Sequence, residues 1–163
     1  IAEVIVPVLK GRRFKVILEP GRFIMGNSGI LVTKVTYIKT GATGKKFAIV
    51  DAGMNDLLRP SLYKAYHNII PLVKRDTERV AYDVVGPICE SGDYLGLGRE
   101  MQELIPGEYL AVMGAGAYGY IMSSNYNSRP RPAELVVMSG QVKVARRAET
   151  YKDLIRGEKI ITL

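Results

Sequence analysis

Apolar and polar residues alternate along most of this chain in short runs that stop at glycine or proline, and nothing else constrains its fold as strongly. A period of two sends every second side chain to one face of a strand. The runs Ile30–Ile38, Lys46–Val50, Ile69–Val73, Arg79–Val85, Tyr109–Met113, Glu134–Met138 and Gln141–Ala145 read as strands, and so does Phe14–Leu18, which ends at Glu19-Pro20-Gly21. The glycines of Thr40–Gly44 and the pair Ser139-Gly140 each mark a hairpin. Helices are expected only in short stretches: Ile1–Leu9 in spite of Pro7, Asp56–Lys64, Tyr118–Met122, and Glu149–Arg156 stopped by Gly157. The pattern predicts a mainly β domain, a β-barrel or β-sandwich, with a piece of different character before it.

Composition narrows the class. With 47% hydrophobic and 24% charged residues over 163 positions the chain can bury a core, and no apolar run approaches the roughly 20 residues that cross a bilayer. No membrane association is expected, and the first residues show no signal-peptide pattern. A single cysteine makes no internal disulfide, which points to a reducing, cytoplasmic setting. The net charge of +7 is spread from Lys10 to Lys159 in clusters no longer than Arg12-Arg13 or Arg146-Arg147, so no nucleic-acid surface is expected. One His and one Cys give neither a conventional zinc site nor, without a local motif around His67, a Cys–His nucleophile pair. No metal site is assigned.

Five segments in order carry more specific information: Leu18-Glu19-Pro20-Gly21-Arg22; Asp51 to Tyr63, containing Leu57-Leu58-Arg59-Pro60-Ser61-Leu62-Tyr63; Gly86-Pro87-Ile88-Cys89-Glu90-Ser91-Gly92-Asp93; Gly116-Ala117-Tyr118-Gly119-Tyr120; and Ser124 to Pro132. Together they resemble the pyridoxal-phosphate decarboxylases of the alanine-racemase-like fold, and within them the diaminopimelate decarboxylases. The resemblance covers nearly the whole chain. It implies the C-terminal portion of a longer enzyme, with residues 1–28 the last helix and strand of a cofactor-binding (β/α)8 barrel and residues 29–163 the C-terminal β domain. It also implies pyridoxal 5'-phosphate as cofactor, meso-2,6-diaminopimelate as substrate, L-lysine and CO2 as products, and a homodimer with shared active sites.

The residue types at the matched positions suit that chemistry. Glu19 offers a carboxylate to the cofactor's ring nitrogen, where an opposite charge favours the protonated form. Gly21 lets a backbone N–H approach phosphate, and Arg22 presents a planar fork suited to the phosphate or to a substrate carboxylate. By the resemblance Tyr118 contacts the cofactor phosphate and borders the substrate, Cys89 protonates the reacting carbon, and Glu90 receives the distal ammonium, both from across a subunit interface. Arg59 and Tyr63 stand four apart, one helical turn, and would meet the distal carboxylate of diaminopimelate. That pairing argues against ornithine or arginine decarboxylase and against alanine racemase.

No lysine stands in the sequence context of the family's cofactor-anchoring residue, and the glycine-rich phosphate loop and stacking histidine have no counterpart here. No catalytic lysine is assigned, and the isolated chain is expected to be inactive. The alternative from another class is a non-catalytic β module that self-associates or docks on a separate barrel.

Overall fold

A computed structural model of the chain describes residues 2–13 and 15–161. Six strands form its main sheet: β1 Leu31–Thr40, β2 Lys46–Val50, β3 Ile69–Pro71, β4 Arg79–Val85, β5 Tyr94–Gln102 and β6 Tyr109–Val112, in the order β3-β6-β1-β2-β4-β5. The edge strands β3 and β5 approach one another so closely that a Cβ on Gly96 would lie 3.0 Å from Ile69 Cδ1. The sheet is therefore a nearly closed barrel. A separate hairpin, β7 Glu134–Met138 with β8 Gln141–Arg146, turns at Ser139-Gly140 as the sequence predicts. Every pairing is antiparallel except β2 beside β4, where Phe47 faces Asp83, and residues 51–78 make that crossover.

Alternation becomes a core on the inner face. In β1, Thr33 and Val35 are buried between exposed neighbours, and a bulge after Val35 shifts the register so that Tyr37 pairs with Ile49. Val35, Val50, Val84, Leu95, Leu110 and Val112 meet there, fully buried, with Leu57 and Tyr82. Each such aliphatic side chain contributes about 1.5–3 kcal/mol by leaving water. Tyr82 buries a phenol as well, and its oxygen accepts a hydrogen bond from the Leu104 N–H at 3.2 Å.

Strand β5 is absent from the sequence reading because Gly96, Gly98 and the Arg99-Glu100 pair break its alternation. In the fold Gly98 marks a bulge rather than an end: its φ is +60°, open to glycine without strain, and its N–H donates to Asp83 Oδ1 at 2.8 Å. The expected strand Phe14–Leu18 is corrected. Phe14 lies outside the described residues, and Lys15–Leu18 is irregular, because no described strand lies alongside to complete a ladder, and Val16, Ile17 and Leu18 are exposed.

The helices are α1 Ala2–Leu9, which contains Pro7, α2 Gly21–Met25, α3 Arg59–Tyr63 and α4 Tyr151–Leu154. Three are shorter than or different from expectation. The stretch from Asp56 narrows to α3 because the Asp56 carboxylate accepts from the Gly53 N–H and holds a loop there. Only Tyr120–Met122 of the next is helical, a 3-10 turn, since Tyr118 adopts a left-handed φ of +59°. At the end, Thr150 and Asp153 form a capping box that starts α4 at Tyr151. No helix among the described residues is long and apolar enough to cross a membrane.

Candidate functional site

Four of the residues singled out by sequence line one cleft of about 450 Å³: Arg22, Arg59, Tyr63 and Tyr118, joined by Ala65 and Met122. Each arrives on a different local device. Arg22 sits in the first turn of α2, which begins at Gly21 and is closed by the Ile24 N–H donating to the Pro20 carbonyl at 3.0 Å. Arg59 and Tyr63 are the two ends of α3, and Pro60 in its first turn, with φ already set for a helix, removes no needed donor. Lys64, left-handed at φ +52°, terminates it.

Tyr118 is the hub. Both guanidinium carbons, of Arg22 and of Arg59, stand 5.6 Å from its ring centroid. Such contacts are worth about 0.5–1 kcal/mol at exposed sites. A left-handed backbone costs a non-glycine residue about 1–3 kcal/mol, so Tyr118 is held in place by its surroundings rather than by preference. Among the described residues neither arginine makes an ion pair with a carboxylate. The cleft thus holds two uncompensated positive charges and two phenols, a combination that attracts and hydrogen-bonds an anion.

The remaining candidates are not in this cleft. Glu19 and Gly21 just precede Arg22 in the chain and are exposed, with the Gly21 N–H donating to the Glu19 carbonyl at 2.9 Å. Cys89 and Glu90 are exposed on the loop before β5, where Glu90 Oε2 accepts from the Tyr126 hydroxyl at 3.4 Å. That loop is anchored to α3, because the Ser61 hydroxyl donates to the Gly92 carbonyl.

The residue that organises this end of the barrel ends one of the matched segments, but the sequence gives it no role. Asp93 is buried, and its carboxylate accepts from the Met54 and Ile88 N–H groups, both at 2.6 Å, tying the loop ahead of α3 to the Cys89–Glu90 loop. Its linear cues are its place at the end of the Gly86–Asp93 segment and the Gly92-Asp93 turn pair. Arg129 braces the same region by donating from Nε to Asn55 Oδ1 at 3.1 Å. Burial pushes the neighbouring Asp56 carboxyl above the usual range, against the lowering effect of the Gly53 N–H and the Arg129 charge. Among the described residues no group of three His, Cys, Asp or Glu side chains could hold a metal ion.

Comparison with known proteins bears on what this cleft serves. Residues 22–116 match the family described as pyridoxal-dependent decarboxylase, C-terminal sheet domain. Diaminopimelate decarboxylase of Aquifex aeolicus is 54% identical over 155 residues, which are 95% of this chain and 37% of that protein. The Pseudomonas fluorescens enzyme of the same name is 50% identical over 94% of this chain and 36% of its own length. Among solved structures, diaminopimelate decarboxylase from Helicobacter pylori in complex with L-lysine superposes with a TM-score of 0.85 at 45% identity, covering 96% of this chain and 38% of that one. The chain thus spans a little over a third of the length of the curated relatives it matches. With the family match over more than half its residues and a six-stranded sheet as its main element, this chain belongs to the pyridoxal-dependent decarboxylases as their C-terminal sheet domain.

Proposed function

We propose that this chain is part of a diaminopimelate decarboxylase, a carbon–carbon lyase that converts meso-2,6-diaminopimelate to L-lysine and CO2, and that residues 1–28 belong to its barrel and residues 29–163 to its sheet domain. The observation that carries the reading is the convergence of Arg22, Arg59, Tyr63 and Tyr118 on one cleft, in a chain about half identical to enzymes of that name. Pyridoxal phosphate fits the donor set: two guanidiniums with no carboxylate partner among the described residues and a phenol stand where an anionic group can be gripped. When bound, that cofactor supplies the electron sink that decarboxylation at an amino acid's Cα requires.

The chain's own residues divide the remaining work. Tyr118, Gly21 and Arg22 would hold the phosphate, the phenol as a hydrogen-bond donor, and Glu19 would offer its carboxylate to the ring nitrogen. Arg59 and Tyr63, one turn apart on α3, orient the distal carboxylate, which ornithine and arginine lack. Replacing Arg59 by Ala should lower kcat/KM for diaminopimelate by roughly ten- to a hundredfold, the value of a charge-assisted contact. A substrate without the distal carboxylate, such as lysine, should lose far less. Equal losses on both would refute the assignment of Arg59 to that carboxylate.

Cys89 and Glu90 are exposed and outside the cleft, which supports their acting in the site of a second copy. There Cys89 would hand a proton to the reacting carbon, and Glu90 would bind the distal ammonium. Mixing an inactive Cys89→Ala protein with an inactive Tyr118→Ala protein should restore activity, because one site of a hybrid dimer then has both residues intact. Hybrid dimers without activity would place the loop in its own subunit's site.

A further inference from the structure

The cleft depends on two segments distant in sequence: α2, which carries Arg22, and the stretch after β6, which carries Tyr118. They are fastened backbone to backbone. The Ala115 N–H donates to the Gly29 carbonyl at 2.8 Å and the Gly116 N–H to the Gly26 carbonyl at 3.1 Å. Between these bonds the chains touch where neither has a side chain. A Cβ on Gly29 would lie 2.7 Å from the Gly116 Cα, and a Cβ on Gly116 would lie 2.1 Å from the Met25 carbonyl oxygen and 2.9 Å from Ser28 Oγ. The first two obstructions are backbone atoms, which cannot swing aside.

We propose that Gly29 and Gly116 are positioning residues for the anion grip: their close contact sets the distance between Arg22 and Tyr118. The proposal rests on the reading of the cleft as the seat of the cofactor phosphate. Its physical basis is leverage. Gly116 is two residues from Tyr118, and the carbonyls of Met25 and Gly26 are those of the last residue and the C-cap of the helix that begins with Gly21 and Arg22. A methyl group at position 116 must therefore move α2 away from the loop, and Arg22 with it. Gly26 provides the contrast. It stands in the same segment, but a Cβ there would meet only the flexible Arg22 Cγ, at 3.8 Å.

The test uses the full-length protein and pyridoxal phosphate as probe, with the dissociation constant read by fluorescence. Gly116→Ala and Gly29→Ala should each weaken binding about tenfold or more, the loss of one charge-assisted grip, while Gly26→Ala changes it less than about twofold. In an Arg22→Ala background Gly116→Ala should add little, since the contact it would displace is already gone. A purely structural role predicts additive losses, and additivity would overturn the proposal. Amide exchange of Ala115 and Gly116 gives a reading without ligand. Both amides should be protected in the parent protein and in Gly26→Ala, and should lose protection in Gly29→Ala. Equal protection in all three would show that the glycines set no distance. A parent protein that keeps this protection and yet fails to bind pyridoxal phosphate would refute the function proposed for the cleft, not the clasp.

Discussion

The six-stranded sheet and the β7–β8 hairpin are written in the same sequence language and held by different forces. Both alternate apolar and polar residues, yet the sheet converts the pattern into fully buried Val35, Val50, Val84, Leu95 and Leu110, whereas Val137, Met138, Val142 and Val144 of the hairpin are all exposed. What secures the hairpin and α4 is polar. Arg146 pairs with Glu134, Arg147 with Asp153, and Arg131 with Glu149, whose carboxylate also takes the Asn125 side-chain N–H at 2.6 Å. A period-two pattern specifies extended backbone, while burial needs a second layer to pack against, and the pattern cannot say where that layer is.

The comparison is broken most directly by trimming one aliphatic side chain in each region. Leu110→Ala should cost about 2–5 kcal/mol in chemical denaturation, because its neighbours cannot fill the cavity. Val142→Ala, exposed, should stay within about 0.5 kcal/mol. Comparable losses at the two positions would mean that the hairpin's apolar side chains are covered in the protein as measured.

Acid should separate the regions by the sign of the response. Hydrogen bonds from Arg147 and Thr150 hold the Asp153 carboxyl far below its ordinary 3.8, and those from Arg131 and Asn125 hold Glu149 below 4.5. A depressed folded value means stability present above the unfolded value and lost as pH falls through the folded one. Asp56 in the barrel region runs the other way: burial raises its carboxyl above 3.8, so protonation on acidification favours the folded form. Amide exchange followed from neutral pH downward should therefore show residues 134–154 losing protection before β1, β2 and β4. The opposite order would show that the ion pairs do not hold the hairpin. The pairs are solvent-exposed, so this effect is the smaller of the two and should shrink further with added salt.

Much of the architecture could be read in advance where local chemistry was decisive. The edges of β2, β4 and β7 and both hairpins fell where glycine and alternation put them, and Arg59 and Tyr63 share a helix because Pro60 can open one. Strand β5 was hidden because its glycines serve a bulge and a close approach to Ile69, which only the closed sheet explains. Helix α2 was hidden behind Pro20-Gly21, a pair that reads as a turn until the helix beyond it is seen. Residue type and motif singled out Arg22, Arg59, Tyr63 and Tyr118, and the structure brings these four to one cleft. The work of Asp93 was invisible, since a buried carboxylate accepting two backbone N–H groups from separate loops has no signature in one dimension.

The parallel alignment of β2 with β4 has a consequence for how the molecule comes into being. An antiparallel pair can zip from a tight turn, but two strands running the same way must wait for the chain between them to go out and come back. Here that excursion, residues 51–78, is the segment that carries Arg59 and Tyr63. Closing so long a loop loses chain entropy before any strand pairing offsets it. The β1–β2 hairpin can therefore form early and locally, while the segment bearing α3 is closed into its loop only once β4 has docked on β2. The helix that lines the cleft is thereby tied to the slow, long-range step of folding, and a chain that presents an ordered Arg59 and Tyr63 has already paired β4 with β2.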